Sequence, residues 1–173
     1  PVDLVVIAET RWGFESNWMD GEWSYVHSST DQRRSGGLLV MIARRLAHPS
    51  QIGFDSVVPG RALHIRIHGD NRALDILAIY QFVDYRTEQS THNRELVWEA
   101  IDKCLGNIPS RNNLICAGDF NCDLKAQPPW VGSTSYFWQR QRFFGTSHRD
   151  HHRFQGLLRM HGLTALNTWG RSG

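Results

Sequence analysis

The sequence predicts an α/β fold, a sandwich of two mixed β-sheets flanked by helices. Short apolar runs bounded by turn residues recur along most of the chain, and only one long segment has helical period. That segment lies between two buried runs, as a helix packed between strands would. A fully parallel, doubly wound sheet would need more crossover helices than the chain offers.

The elements follow in order. Leu4-Val5-Val6-Ile7-Ala8 is a continuous apolar run, the pattern of a strand covered on both faces. Trp23 to His27 fits a short strand, and Gly36-Gly37-Leu38-Leu39-Val40-Met41-Ile42 a stronger one, before a loop near His48-Pro49. Leu63, Ile65 and Ile67 alternate with His64, Arg66 and His68, which marks a half-exposed strand with both histidines on its surface. Gly69-Asp70-Asn71 is turn chemistry, and Leu74 to Tyr80 is a buried strand. Leu96, Val97, Ala100, Ile101, Cys104 and Leu105 then recur at helical spacing. Ser90 or Thr91 would cap that helix, and Gly106 with Pro109 would end it. Leu114 to Ala117 is the next strand, followed by a polar and aromatic loop over 125–147. Phe154, Leu157, Leu158 and Met160 predict a short amphipathic helix, and Leu163 to Leu166 a last strand or turn.

At 173 residues the chain is expected to be a single domain, 1–173. Its hydrophobic fraction of 40% and charged fraction of 21% exclude a disordered chain, and no run approaches the ~18 apolar residues of a membrane span. The net charge of +2 permits a polyanionic partner. Cys104, Cys116 and Cys122 form no CxxC pair, so small buried thiols in an intracellular protein are expected, with no membrane partner.

The chemistry sits at strand ends. Glu9, Tyr80 and Asp119 each stand at the exit of a buried apolar run, where a rigid edge presents them to solvent. A hard cation such as Mg²⁺ takes carboxylate oxygens and keeps several waters, so one acid together with substrate phosphate oxygens suffices. A second acid can orient a water, and the Asn121 amide or the Tyr80 phenol can donate to a phosphate oxygen. Each residue also has a structural reading, as a turn-capping acid or a half-buried strand aromatic.

Four segments, VVIAETRW, SGGLLVMI, LDILAIY and ICAGDFN, in this order resemble the endonuclease/exonuclease/phosphatase family. Within it they are most similar to the apurinic-type endonuclease domain of non-LTR (LINE-type) retrotransposons. LTALNTW also resembles the segment these domains place before their closing strands. The resemblance implies that Glu9 binds the metal and that Asp119 orients or deprotonates the attacking water, or assists the leaving group. It implies that Asn121 and Tyr80 hold the scissile phosphate, with Arg11 beside them, and that Gly36-Gly37 is the glycine pair opening a sandwich strand. The implied reaction is Mg²⁺-dependent cleavage of a DNA phosphodiester, with Mn²⁺ able to replace Mg²⁺. The implied parent carries a reverse transcriptase domain and works in the nucleus.

Several positions depart from the family pattern. Ala8 replaces the Gln that commonly precedes the glutamate, Arg11 a common His, and Gln81 the Pro that follows the tyrosine. Val83, beside Asp84, stands where a phosphate-contacting Asn is common. The family's first strand would precede Pro1, and its late Asp and closing Ser-Asp-His would follow Gly173. On this reading the domain is incomplete at both ends, and the isolated 173 residues should turn over little or nothing.

Two other readings stay open: a phosphoesterase of the same family acting on RNA or a phosphoinositide, and a non-catalytic remnant. His148-Arg149-Asp150-His151-His152 is a metal cluster or, more simply, a solvated loop. Arg33-Arg34 and Arg140/Arg142, the latter near Tyr136, Phe137 and Trp138, are candidate nucleic-acid contacts.

Overall fold

Two four-stranded sheets carry the architecture, seen in a computed structural model that describes residues 1–30, 35–133 and 150–169. The strands are β1 (Leu4–Ala8), β2 (Ser16–Met19), β3 (Trp23–Ser28), β4 (Leu38–Ala43), β5 (Ile52–Val58), β6 (Ala62–Ile67), β7 (Leu74–Tyr80) and β8 (Asn113–Asp119). The first sheet runs β1-β4-β3-β2 and is antiparallel throughout. The second runs β5-β6-β7-β8, antiparallel except for the parallel β7–β8 pair. Helix α1 (Glu88–Gly106) makes the crossover that this parallel pair requires. The α/β sandwich expected from the sequence is the one observed. By chain contacts the molecule divides into two units, Pro1–Phe120 and Asn121–Gly173.

Alternation explains how the first unit holds together. Val26, Leu38, Val40 and Ile42 of one sheet share a core with Leu63, Ile65, Ile67, Ile76, Ala78 and Tyr80 of the other. Each buried Leu or Ile in such a core contributes about 1.5–3 kcal/mol. The outer face of the second sheet carries α1, whose Val97, Trp98, Ile101 and Leu105 are buried. Trp98 is fully buried and stacks on Phe120 with ring centroids 6.5 Å apart. The outer face of the first sheet is covered unevenly: His27, Leu39 and Ala43 are buried on it. Ile7 of β1 is 41% exposed, so the apolar run at Leu4–Ala8 is covered on one face only, not both.

Other local expectations need correction. The cap of α1 is Thr87, not Ser90 or Thr91. Thr87 Oγ1 accepts from the Ser90 amide at 3.1 Å, and Ser90 Oγ accepts from the Thr87 amide at 3.2 Å. This reciprocal box satisfies two otherwise orphaned donors and stabilises the helix start by about 1 kcal/mol. Strands β2 and β5 were not expected. All four β2 residues are exposed, so no apolar alternation announces that strand.

His64 is not a surface residue. Its Nε2 lies 2.6 Å from Oδ1 of Asp75, a carboxylate with no exposed area. Arg66 Nε donates to the same oxygen at 2.8 Å, and Asn112 Nδ2 donates to Oδ2 at 2.7 Å. Burial works to raise the Asp75 pKa, but the hydrogen bonds from Asn112, Arg66 and His64 prevail and lower it. The cysteines are free, as expected, and burial pushes the Cys104 thiol up to about 11 and the Cys116 thiol to about 12. Both are therefore unreactive thiols at neutral pH.

The second unit contains α2 (His151–Met160), which buries Phe154, Leu157 and Leu158 as its spacing predicts. His151 belongs to the helix and is buried with them, so it is no part of a solvated loop. Gln155 Nε2 donates to the Lys125 carbonyl at 2.6 Å. The expected last strand at Leu163–Leu166 amounts to a bridge at Ala165 and a short 3₁₀ turn, Leu166–Thr168. Among the described residues no helix is long and apolar enough to cross a membrane.

Asp75→Ala strands His64 and Arg66 beside a void, and should cost roughly 3–5 kcal/mol by urea denaturation at neutral pH. Because folding lowers the Asp75 pKa, its contribution is complete above the unfolded value and fades as pH falls through the folded one. The gap between wild type and variant should therefore close below about pH 4. A gap independent of pH would contradict the lowered pKa.

Candidate functional site

The acid and the glycine at the end of the ICAGDFN segment belong to a strand, not a turn. Strand β8 continues through Gly118 to Asp119, and Tyr80 and Asp119 are paired neighbours in the parallel register. The Gln81 amide donates to the Asp119 carbonyl at 2.8 Å, which extends the pairing one residue further. Gly118 is there because β7 comes too close for any side chain. Its φ is +137°, and a Cβ would lie 1.9 Å from the Ile79 carbonyl oxygen. The exposed Asp119 side chain and the Tyr80 phenol thus leave adjacent strand ends together.

Glu9 arrives from the other sheet, just past the end of β1. It and Arg11 both adopt left-handed backbone conformations, with φ of +63° and +58°. For non-glycine residues this costs about 1–2 kcal/mol each, so neighbouring structure must hold them there. The Thr10 amide donates to the Gly37 carbonyl at 3.3 Å and the Arg11 amide to the Gly36 carbonyl at 3.0 Å. Gly37 has no room for a side chain, since a Cβ would lie 2.2 Å from Thr10 Oγ1. Below them, His27 Nδ1 lies 2.6 Å from the Phe14 carbonyl, and so must donate to it. Burial lowers the His27 pKa, and the neutral ring then accepts the Thr10 hydroxyl at Nε2, 2.7 Å away. The glycine pair and His27 are what hold the glutamate at the edge.

The electrostatics are those of an acid kept charged. Arg11 donates from Nε, at 3.2 Å, and from Nη2 to Glu9 Oε1. This pairing is the main reason the Glu9 pKa lies below the usual range, with hydrogen bonding to Tyr80 and the charge of Arg61 adding to it. The Glu9 side chain is 43% exposed and that of Arg11 61%, so the pair is open to solvent and weak as a source of stability. Burial, then the Glu9 charge, raises the Tyr80 pKa, which keeps its phenol protonated and able to donate.

Arg61, which no sequence motif singled out, lies under this group. It is 4% exposed, and its guanidinium carbon stands 4.7 Å from the centre of the Tyr80 ring and 3.8 Å from that of Phe82. A second unforeseen feature is an open aromatic face next to Arg11. Trp12 stacks on Phe14 at 5.7 Å, and Trp18 on Tyr25 at 4.8 Å with their planes 3° apart. Trp12 and Phe14 remain 42% and 51% exposed.

The first unit therefore brings Glu9, Arg11, Tyr80 and Asp119 to one edge. Asn121, with a φ of +42°, opens the second unit two residues past Asp119. Arg33, Arg34, Tyr136, Phe137, Trp138, Arg140, Arg142, His148 and Arg149 lie outside the described residues. Among the described residues, no three His, Cys, Asp or Glu side chains stand together as a preformed metal cage. One exposed, ionised carboxylate such as Glu9 nevertheless fits a Mg²⁺ that retains its waters and leans on substrate phosphates.

No protein-family model matches the chain, and no curated protein matches its sequence. Its fold is similar to that of an AP endonuclease from Archaeoglobus fulgidus, with a TM-score of 0.56 and 17% identity. The match covers 91% of this chain and 60% of that one, so the chain spans well under two thirds of its neighbour's length. The α/β sandwich is thus similar in fold to that of an AP endonuclease.

Gly118→Ala should destabilise the first unit by roughly 2–4 kcal/mol, through left-handed strain and the clash with Ile79. Thermal unfolding would show it. A melting point equal to wild type would mean that β7 and β8 are not this close.

Proposed function

We propose that the chain is the greater part of a Mg²⁺-dependent DNA-nicking endonuclease of the kind found in LINE-type retrotransposons. The convergence of the exposed Glu9 and Asp119, from two sheets, on the largely buried Tyr80 carries this reading. Three unrelated capping residues would not gather in this way. Glu9 would hold the metal ion, which when bound supplies Lewis-acid polarisation of a phosphate oxygen.

In this scheme Asp119 orients and deprotonates a water for in-line attack on the phosphorus; the opposite P–O bond breaks, and the departing sugar oxygen takes a proton from solvent. Tyr80 and the Asn121 amide donate to the non-bridging oxygens, where charge accumulates in the transition state. Arg11, whose side chain is 61% exposed, would be available to a phosphate oxygen beside Glu9. Duplex DNA with a disrupted base suits the open Trp12–Phe14 face, since an unstacked base finds a flat aromatic surface beside the cutting edge. Genomic DNA as substrate places the reaction in the nucleus, and the same reading places a reverse transcriptase domain in the parent polypeptide.

The full-length gene product should nick supercoiled plasmid with Mg²⁺ and not with EDTA. Glu9→Gln and Asp119→Asn should each lower the rate about 100-fold or more. Nicking that survives both substitutions would sink the assignment. Separately, tryptophan fluorescence should fall when a single-stranded oligonucleotide binds, and Trp12→Ala should weaken binding about tenfold. Equal affinity in that variant would remove the aromatic face from the substrate path.

A further inference from the structure

A buried guanidinium, with no acid partner among the described residues, lies against the Tyr80 ring of the candidate site. Arg61 sits in the turn between β5 and β6, where its amide donates to the Val58 carbonyl at 2.8 Å. Its side chain is buried, yet no carboxylate pairs with it among the described residues. Nη2 reaches Ser35 Oγ at a long 3.4 Å, and Nε has no hydrogen-bond partner among the described residues. Burying a cation this way is unfavourable, and a core that needed only volume would be better served by an aliphatic residue. Asp75 shows the contrast within the same molecule: that buried charge is met by three donors.

What Arg61 does have is Tyr80. Its carbonyl accepts the Tyr80 amide at 2.8 Å, and its guanidinium covers the Tyr80 and Phe82 rings from one side. Backbone and side chain of one residue therefore determine where the Tyr80 ring can lie. The plane of a guanidinium suits this stacking; the compact ammonium of a lysine does not. Among the described residues, the carboxylate whose charge acts on Arg61 is Glu9.

We propose that Arg61 is a positioning residue for phosphodiester hydrolysis: it clamps the Tyr80 ring and sets a fixed positive charge behind the phenol. That charge strengthens the phenol as a donor to a phosphoryl oxygen gaining negative charge, without touching the substrate. The charge of Arg61 acts on the phenol, and among the described residues no carboxylate is paired with it to cancel that field. This inference rests on the hydrolase reading for its kinetic consequence but not for its structural one.

The test uses Arg61→Met and Arg61→Lys in the full-length product, with two readouts. In the first, meta-fluorotyrosine replaces the tyrosines, and Tyr80→Phe identifies the signal from position 80 by fluorine NMR. A clamped ring should give a Tyr80 signal displaced from that of an exposed tyrosine. Arg61→Met should move it towards the exposed position while the other tyrosine signals stay in place. Arg61→Lys should move it part of the way. The second readout is nicking. Arg61→Met should lower kcat about tenfold with KM changed less than about twofold, and Arg61→Lys should recover part of the loss.

An unmoved Tyr80 signal in folded Arg61→Met overturns the clamp. A moved signal with unchanged kcat, in a product that nicks DNA, overturns the electrostatic role. If the product does not nick DNA but the signal moves, the hydrolase reading fails and the clamp stands. If Arg61→Met does not fold, Arg61→Lys decides: wild-type signal and wild-type kcat overturn the proposal.

Discussion

The close parallel contact between β7 and β8 is the constraint on which the candidate site depends. It brings Tyr80 and Asp119 side by side, and it is possible only because residue 118 has no side chain. A parallel pair cannot be joined by a tight turn, so α1 follows from the same contact. Trp98, buried in α1, stacks on Phe120 directly after the strand, so that the crossover helix and the strand end brace one another.

The other half of the edge is held by strain. Glu9 and Arg11 keep left-handed conformations that their side chains disfavour, and the Gly36-Gly37 carbonyls and the Thr10–His27 hydrogen bond hold them there. Strain of this kind survives only where the surroundings overdetermine it, which is common where a side chain must be aimed. The charge pattern is consistent with that aim. An exposed glutamate held ionised, a phenol held protonated and a buried guanidinium lie within one another's influence. The two charged partners differ in kind: Arg11 is exposed, Arg61 buried.

Much of the fold was legible because apolar period is local. The runs at Leu4–Ala8, Leu38–Ile42 and Leu74–Tyr80, and the helical spacing around Val97 and Ile101, appear as strands and a helix near their expected bounds. Strand β2 was illegible because its four residues face solvent and pair by backbone hydrogen bonds that any sequence can make. His64 was misjudged because alternation identifies the polar face of β6 but not what covers it. Here α1 lies over that face, and Asp75 stands opposite Arg66 on the neighbouring strand.

The candidate acids were visible by themselves, since a carboxylate ending an apolar run is conspicuous in one dimension. Sequence alone determined the sandwich, the strand exits at Glu9, Tyr80 and Asp119, and the glycines that precede or support them. Only the tertiary structure decided that these exits share an edge, that Gly118 serves a close approach and not a turn, and that Arg61 lies beneath the phenol. The physical reason is range. Periodicity and turn chemistry act over a few residues, whereas the field and packing at the site join groups as far apart as Glu9 and Asp119, which only the closing of two sheets on one core can bring together.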